Sequence, residues 1–212
     1  DQIHYSYSFV DALKNENIVF ANTHYGLVKL TWRNTKFESS EAISQVEFPI
    51  QKLIDDTLNS CLWLSDLSYN LYQLKYSDDY NFQDTATKIE FFDKESMMPL
   101  NMFTFEDKVY FGEGDKNYQY NGTDSTGALL FKETKLFDKA IEFLHRLYDI
   151  RKINDTACWI LGPYGAMIVE KEDDVWSFNK PYVRDVFSRY SVDKDGKLWV
   201  YDYEKFKYVD PT

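Results

Sequence analysis

Short runs of apolar residues alternate with polar turns along all 212 residues, and the alternation recurs five times. Aligned on one apolar position, the copies fall on Val19, Trp63, Tyr110, Trp159 and Trp199, at spacings of 44, 47, 49 and 40 residues. A period in the forties built from strand-type segments predicts the blades of a β-propeller. The first two copies match best. Val19–Leu30 lies over Trp63–Leu74, with Tyr25 on Tyr69, Leu27 on Leu71, Leu30 on Leu74 and Gly26 on Asn70. Asn117 takes the Gly26/Asn70 place in the third copy, so this position is expected to need a positive φ in a turn.

Each copy reads as two strands joined by about five turn residues. A polar turn precedes each: Asn15–Asn17, Asn59-Ser60, Glu106–Lys108, Asn154–Thr156 and Asp193–Gly196. Before those turns, Phe9-Val10 with Leu13, Met102–Phe105, and Tyr190 with Val192 read as innermost strands. Ala128–Phe131 reads as an outer strand. Four antiparallel strands per repeat make a blade. The expected fold is therefore all-β: a single five-bladed β-propeller over residues 1–212, with a piece of a longer array as the alternative. The strand Ile3-His4-Tyr5-Ser6-Tyr7 is expected to complete the fifth blade and close the ring, because open sheet edges invite association.

One segment departs from the strand pattern. Leu136, Phe137, Ala140, Ile141, Leu144, Leu147 and Tyr148 recur at helical spacing between Lys135 and Arg151, predicting an inserted helix of about four turns near 135–150. A cap packed on the sheets is its expected role, and a docking helix is the alternative.

Composition narrows the function. The net charge is −11, with no basic stripe, so nucleic acid and anionic membranes are poor partners. No apolar run approaches the ~20 residues that span a bilayer, and no membrane insertion is expected. The 17 tyrosines and 16 phenylalanines fit pleated, half-buried surfaces. Cys61 and Cys158 lie beside repeat tryptophans of the second and fourth copies, which are not adjacent, so a disulfide between them is not expected.

Three residues beyond each aligned position stand Asn22, Asp66, Glu113, Gly162 and Asp202. Five-fold geometry would gather these into a ring at one mouth. Such a ring offers hydrogen bonds to a sugar or oxygen ligands to a hard cation, although Asn and Asp are also ordinary turn residues. His24, Asp115, Tyr164 and Tyr203 flank it and could stack or hydrogen-bond. The case for chemistry is thin. His4, His24 and His145 have no metal-ligand spacing, and neither a Gly-x-Ser-x-Gly element nor a Gly-rich phosphate loop occurs. Asp66 with Asp202 or Glu113 are the carboxylates available for glycoside hydrolysis. Asp193-x-Asp195-Gly196 lacks the remaining ligands of a calcium loop and reads as a tight turn.

Asp193-Lys194-Asp195-Gly196-Lys197-Leu198-Trp199-Val200 resembles the Asp-x-x-Gly-x-Leu-Trp-Ile/Val element of two-component regulator propeller repeats. Gly26-Leu27 is similar to the Gly-Leu that follows in those repeats. The resemblance implies an extracytoplasmic sensing module that recognises ligands such as polysaccharide breakdown products. The expected function is thus non-catalytic recognition of a carbohydrate or other small polar ligand by a monomer, with no cofactor and no bound metal. An intracellular scaffold for a protein partner and a five-bladed glycoside hydrolase are the alternatives.

Overall fold

The structure is a computed structural model, and it describes residues 6–82, 84–90, 100–183, 189–201 and 205–210. Five consecutive antiparallel sheets, one per sequence repeat, give the fold of a five-bladed β-propeller. The chain divides into two compact units, residues 1–100 with 107–109, and residues 101–106 with 110–212.

In the first unit, β1 (Ser6–Asp11), β2 (Ile18–Thr23), β3 (Gly26–Arg33) and β4 (Lys36–Ile43) form one sheet in chain order. The next sheet holds β5 (Ile50–Asp56), β6 (Cys61–Asp66) and β7 (Leu71–Ser77), with β8 (Asn81–Phe82) and β9 (Thr87–Ile89) both on β7. Ser6 and Tyr7, assigned by sequence to a closing strand, belong to β1, where Ser6 pairs with Thr23. Ile3, His4 and Tyr5 lie outside the described residues.

The second unit holds β10 (Asn101–Phe105), all but the first two residues of β11 (Lys108–Glu113), β12 (Lys116–Thr123) and β13 (Leu129–Thr134), then the helix α1 (Asp138–Leu144). The fourth sheet is β14 (Asp149–Asn154), β15 (Ala157–Gly162), β16 (Gly165–Glu172) and β17 (Val175–Val183). The fifth is β18 (Arg189–Val192), β19 (Leu198–Tyr201) and β20 (Phe206–Val209), three strands among the described residues.

All five aligned positions fall in the second strand of their sheets. β6 and β15 are apolar on successive residues, not alternate ones, because both their faces are covered: every residue of Ala157–Gly162 is buried, as is Cys61–Ser65, whereas β19 buries only Leu198 and Val200. Trp63 and Trp159 are fully buried, and Trp199 is 40 % exposed. A buried indole N–H needs an acceptor. Trp63 Nε1 donates to Asp56 Oδ2 at 3.0 Å. Trp199 repeats that device with Asp193 Oδ2 at 2.8 Å. Trp159 instead donates to the carbonyl of Gly196 at 2.8 Å, in the first turn of the following sheet.

The turn before Trp199 is tight, as its sequence predicts. Asp193 Oδ1 accepts the backbone N–H groups of Asp195 and Lys197, and Gly196 adopts φ 78°. Both cysteine thiols are free and buried.

Two turn expectations need correction. The second and third strands join through two residues, not five, in three sheets: His24-Tyr25, Gly114-Asp115 and Pro163-Tyr164. Strand pairing simply continues further than the apolar pattern, to Thr23, Glu113 and Gly162. The shared Gly26/Asn70/Asn117 place is also not a common positive-φ site. Gly26 has φ 133°, and a Cβ there would sit 2.0 Å from the carbonyl oxygen of Val46. In the second sheet the positive φ moves to Tyr69, and in the third to Gly114. Asn117 is buried opposite Gly112, where a Cβ would come within 3.0 Å of its Oδ1.

The first unit is pinned by a buried carboxylate. Asp55 is the penultimate residue of β5, and its Oδ1 accepts the hydroxyl of Tyr76 at 2.7 Å. Its Oδ2 accepts the Leu13 N–H at 2.9 Å and the hydroxyl of Tyr80. The Lys14 N–H then donates to Tyr80 Oη at 3.0 Å. One acid thereby ties the first turn of the first sheet to the second sheet. Burial, and then donation to Asp55, push the Tyr80 hydroxyl up to about 12 and raise that of Tyr76 as well.

α1 is two turns long, shorter than its apolar periodicity predicts. His145, at φ 64°, caps it and sends its N–H to the carbonyl of Ile141 at 2.7 Å. Leu147 and Tyr148 lead into β14 instead, because the Tyr148 N–H is taken by the carbonyl of Leu161 at 2.7 Å. The role of cap holds. Phe137, Ala140 and Leu144 are buried with Phe103, Phe105 and Tyr110 of the third sheet and Ile150, Ile160 and Met167 of the fourth. The helix end presses so closely on β15 that a Cβ at Gly162 would meet the Arg146 carbonyl oxygen at 2.5 Å and Leu144 Cβ at 2.6 Å.

Three measurements probe these constraints. Trp159→Phe removes a buried donor and leaves the Gly196 carbonyl without it, an expected loss of about 1–3 kcal/mol in denaturant unfolding. Trp199→Phe, at a 40 % exposed site, is expected to lose less. Gly162→Ala forces the helix end off β15 and is expected to lower Tm by several degrees. In alkali, exposed tyrosines ionise near pH 10. Tyr80 favours its neutral form in the fold, so its contribution to stability is complete below about pH 10 and lost as pH rises through about 12. Tyrosinate absorbance should therefore rise in two phases, the later one coinciding with unfolding.

Candidate functional site

Each described residue of the anticipated ring stands at the turn between second and third strands of its own sheet, but their environments differ. Asn22 is buried within β2, where it pairs with Leu27. His24 is exposed in the adjoining turn, its ring edge-on to Tyr25 at 5.6 Å. Asp66 is committed to its own hairpin. Its Oδ1 accepts the N–H groups of Ser68 and Asn70, and its Oδ2 accepts Asn70 Nδ2 at 2.7 Å and the Tyr72 hydroxyl at 3.1 Å. Those four bonds fill the lone-pair sites of a carboxylate, and burial, then the Asp66 charge and the bond to it, push the Tyr72 hydroxyl up to about 12. Asp66 thus serves its own turn.

In the second unit, Glu113 is half-buried at the end of β11, and Asp115 is exposed in the turn that follows. Gly162 is buried beneath the helix end. Asp202 and Tyr203 lie outside the described residues. No three His, Cys, Asp or Glu among the described residues gather as a metal site. No helix among them is long and apolar enough to cross a membrane.

Tyr164 is the anticipated residue around which other groups converge. It is 51 % exposed in the tight turn after Gly162. The His145 ring meets it edge-on at 4.9 Å. The left-handed backbone at His145 turns the chain off the helix, and the missing side chain at Gly162 admits it beside Tyr164. Next along the segment, Arg146 Nη2 donates to the Tyr148 hydroxyl at 3.0 Å, with the guanidinium 5.1 Å from the centre of that ring.

A buried carboxylate stands immediately beyond. Asp149 opens β14, and its Oδ2 lies 2.7 Å from Arg151 Nη2, on the same face of the strand. Tyr190 of β18 donates to Asp149. Its hydroxyl is raised, first by burial and then by the Asp149 charge, with Arg151 opposing and Tyr148 adding a little. Three neighbouring groupings result: Tyr164 with His145, Arg146 with Tyr148, and Asp149 with Arg151 and Tyr190. They offer an exposed tyrosine ring and two anchored guanidinium groups.

The repeat alignment missed Arg146, Tyr148, Asp149, Arg151 and Tyr190, because they occupy the helix exit and first strands and not the aligned turns. One signal was available. The chain has five arginines, Arg33, Arg146, Arg151, Arg184 and Arg189, and four of them lie within 146–189 of a chain whose net charge is −11.

Neither a family model nor a curated protein sequence matches the chain. Solved structures do share its fold. The extracellular domain of the hybrid two-component system BT3049 of B. thetaiotaomicron is 13 % identical, with a TM-score of 0.53 over 96 % of this chain and 26 % of that one. A protein of Bacteroides uniformis named as a 6-phosphogluconolactonase is 9 % identical, with a TM-score of 0.59 over 96 % of this chain and 67 % of that one. A luciferin-regenerating enzyme is 15 % identical, with a TM-score of 0.51 over 91 % and 68 %. The chain spans about a quarter of the length of the sensor domain and about two thirds of the other two. At these identities the likeness is one of fold, and it places the chain among β-propellers that include both a sensor domain and proteins named as enzymes.

Proposed function

We propose that this chain is a non-catalytic recognition module that binds a polar ligand of the carbohydrate class at the second-to-third-strand turns of its second unit, and that it works outside the cytoplasm. The carrying observation is the exposed Tyr164 ring, held at a tight turn against His145 and flanked by the Arg146–Tyr148 pair. A sugar ring offers an apolar C–H face to an aromatic ring and hydroxyls to surrounding donors and acceptors, which is the mixture this surface presents. The acidic surroundings keep nucleic acid away. The sensor domain of B. thetaiotaomicron lends support to extracytoplasmic sensing. Propellers named as enzymes share the fold as well, so fold alone does not separate recognition from catalysis. The local chemistry favours recognition. The buried carboxylate of these groupings, Asp149, is engaged with Arg151 and Tyr190, which leaves it poorly placed as an acid or nucleophile.

Calorimetric titration against a panel of oligosaccharides tests the reading. At least one is expected to bind, and Tyr164→Ala is expected to weaken it about tenfold or more, with the melting temperature of the free protein unchanged. Release of reducing sugar, or hydrolysis of a lactone, by the purified chain would refute the non-catalytic assignment.

A further inference from the structure

We infer that the ligand recognised at this site carries a carboxylate, and that Arg151 and Arg146 are the residues that select it. The inference rests on the recognition reading above and specifies its ligand class.

Arg151 is built as an anion receptor and not as a surface charge. Its side chain is 57 % exposed, yet Nη2 is anchored 2.7 Å from Asp149, which is itself buried. A guanidinium has five donors in a planar fork, so one anchored edge leaves others directed outward in a fixed orientation. Exposed arginines usually lose side-chain entropy when they grip an anion. Anchoring to Asp149 removes part of that cost beforehand. Asp149 is held in turn by Tyr190 from the next sheet. The supporting shell therefore comes from two sheets, while the Arg151 side chain itself stays more than half exposed.

Arg146 adds a second guanidinium, held to the Tyr148 hydroxyl at 3.0 Å and lying against that ring. Anchored guanidinium groups on the segment that also carries the His145–Tyr164 pair are suited to a planar carboxylate attached to a sugar ring. The surrounding protein sharpens the contrast. The chain is acidic overall, and a general surface would repel an anion, so affinity for one requires a local concentration of cations.

The test compares oligogalacturonate with its methyl ester, which differ in charge and little in shape. The acid is expected to bind wild-type protein at least tenfold more tightly than the ester, with the gap narrowing as salt is raised. R146Q and R151Q are each expected to lower the acid's affinity several-fold toward the ester's. R151Q leaves Asp149 short of a partner, so R151K accompanies it. The lysine keeps the charge on Asp149 but loses the fork, and it is expected to weaken acid binding while the melting temperature is retained. Equal binding of acid and ester by wild type would overturn the inference and leave saccharide recognition standing. So would an undiminished acid preference in R146Q and R151K. Failure of wild type to bind any saccharide, charged or neutral, would overturn the recognition reading and this inference with it.

Discussion

Every sheet of this chain has two apolar faces and covers neither by itself. That requirement organises everything else. It explains why β6 and β15 are buried at successive positions, and why Trp63 and Trp159 need acceptors within or beyond their own sheets. It also dictates where polar groups can go. Two buried carboxylates show how such groups are accommodated: Asp55 is bonded by two tyrosines and a backbone N–H, and Asp149 by Arg151 and Tyr190.

The repeat and its strand order were readable because burial on both faces leaves an unbroken apolar signature around Val19, Trp63, Tyr110, Trp159 and Trp199. Turn lengths were not. β15 runs on to Gly162, where the helix end lies against it, a contact between parts of the chain that no local pattern encodes. The helix misled for a related reason. Leu147 and Tyr148 keep helical spacing, but the carbonyl of Leu161 claims the Tyr148 N–H and draws the chain into a strand. Asp56 was also overlooked, although its place before Trp63 mirrors that of Asp193 before Trp199.

The candidate site was half legible. Tyr164 sits on an aligned turn and was found by counting from the repeat position. Asp66 was found the same way, yet its oxygens are consumed by the hairpin they belong to. Counting locates a turn but does not say whether its carboxylate looks outward or back at its own backbone. Asp149 and Arg151 escaped because their partner Tyr190 lies 41 residues away in sequence.

Repeat arrays ordinarily come apart one unit at a time, since each copy meets only its neighbours through similar weak interfaces. The hydrogen bond from Trp159 to Gly196 changes that for the second unit. It fastens the heart of the fourth sheet to the first turn of the fifth, while α1 shares one apolar cluster with the third and fourth. Glu106 adds a strap, accepting from Lys171 and from the indole of Trp176. Three sheets bound in this way have no cheap place to part, so their amides should exchange with solvent as a single block rather than blade by blade.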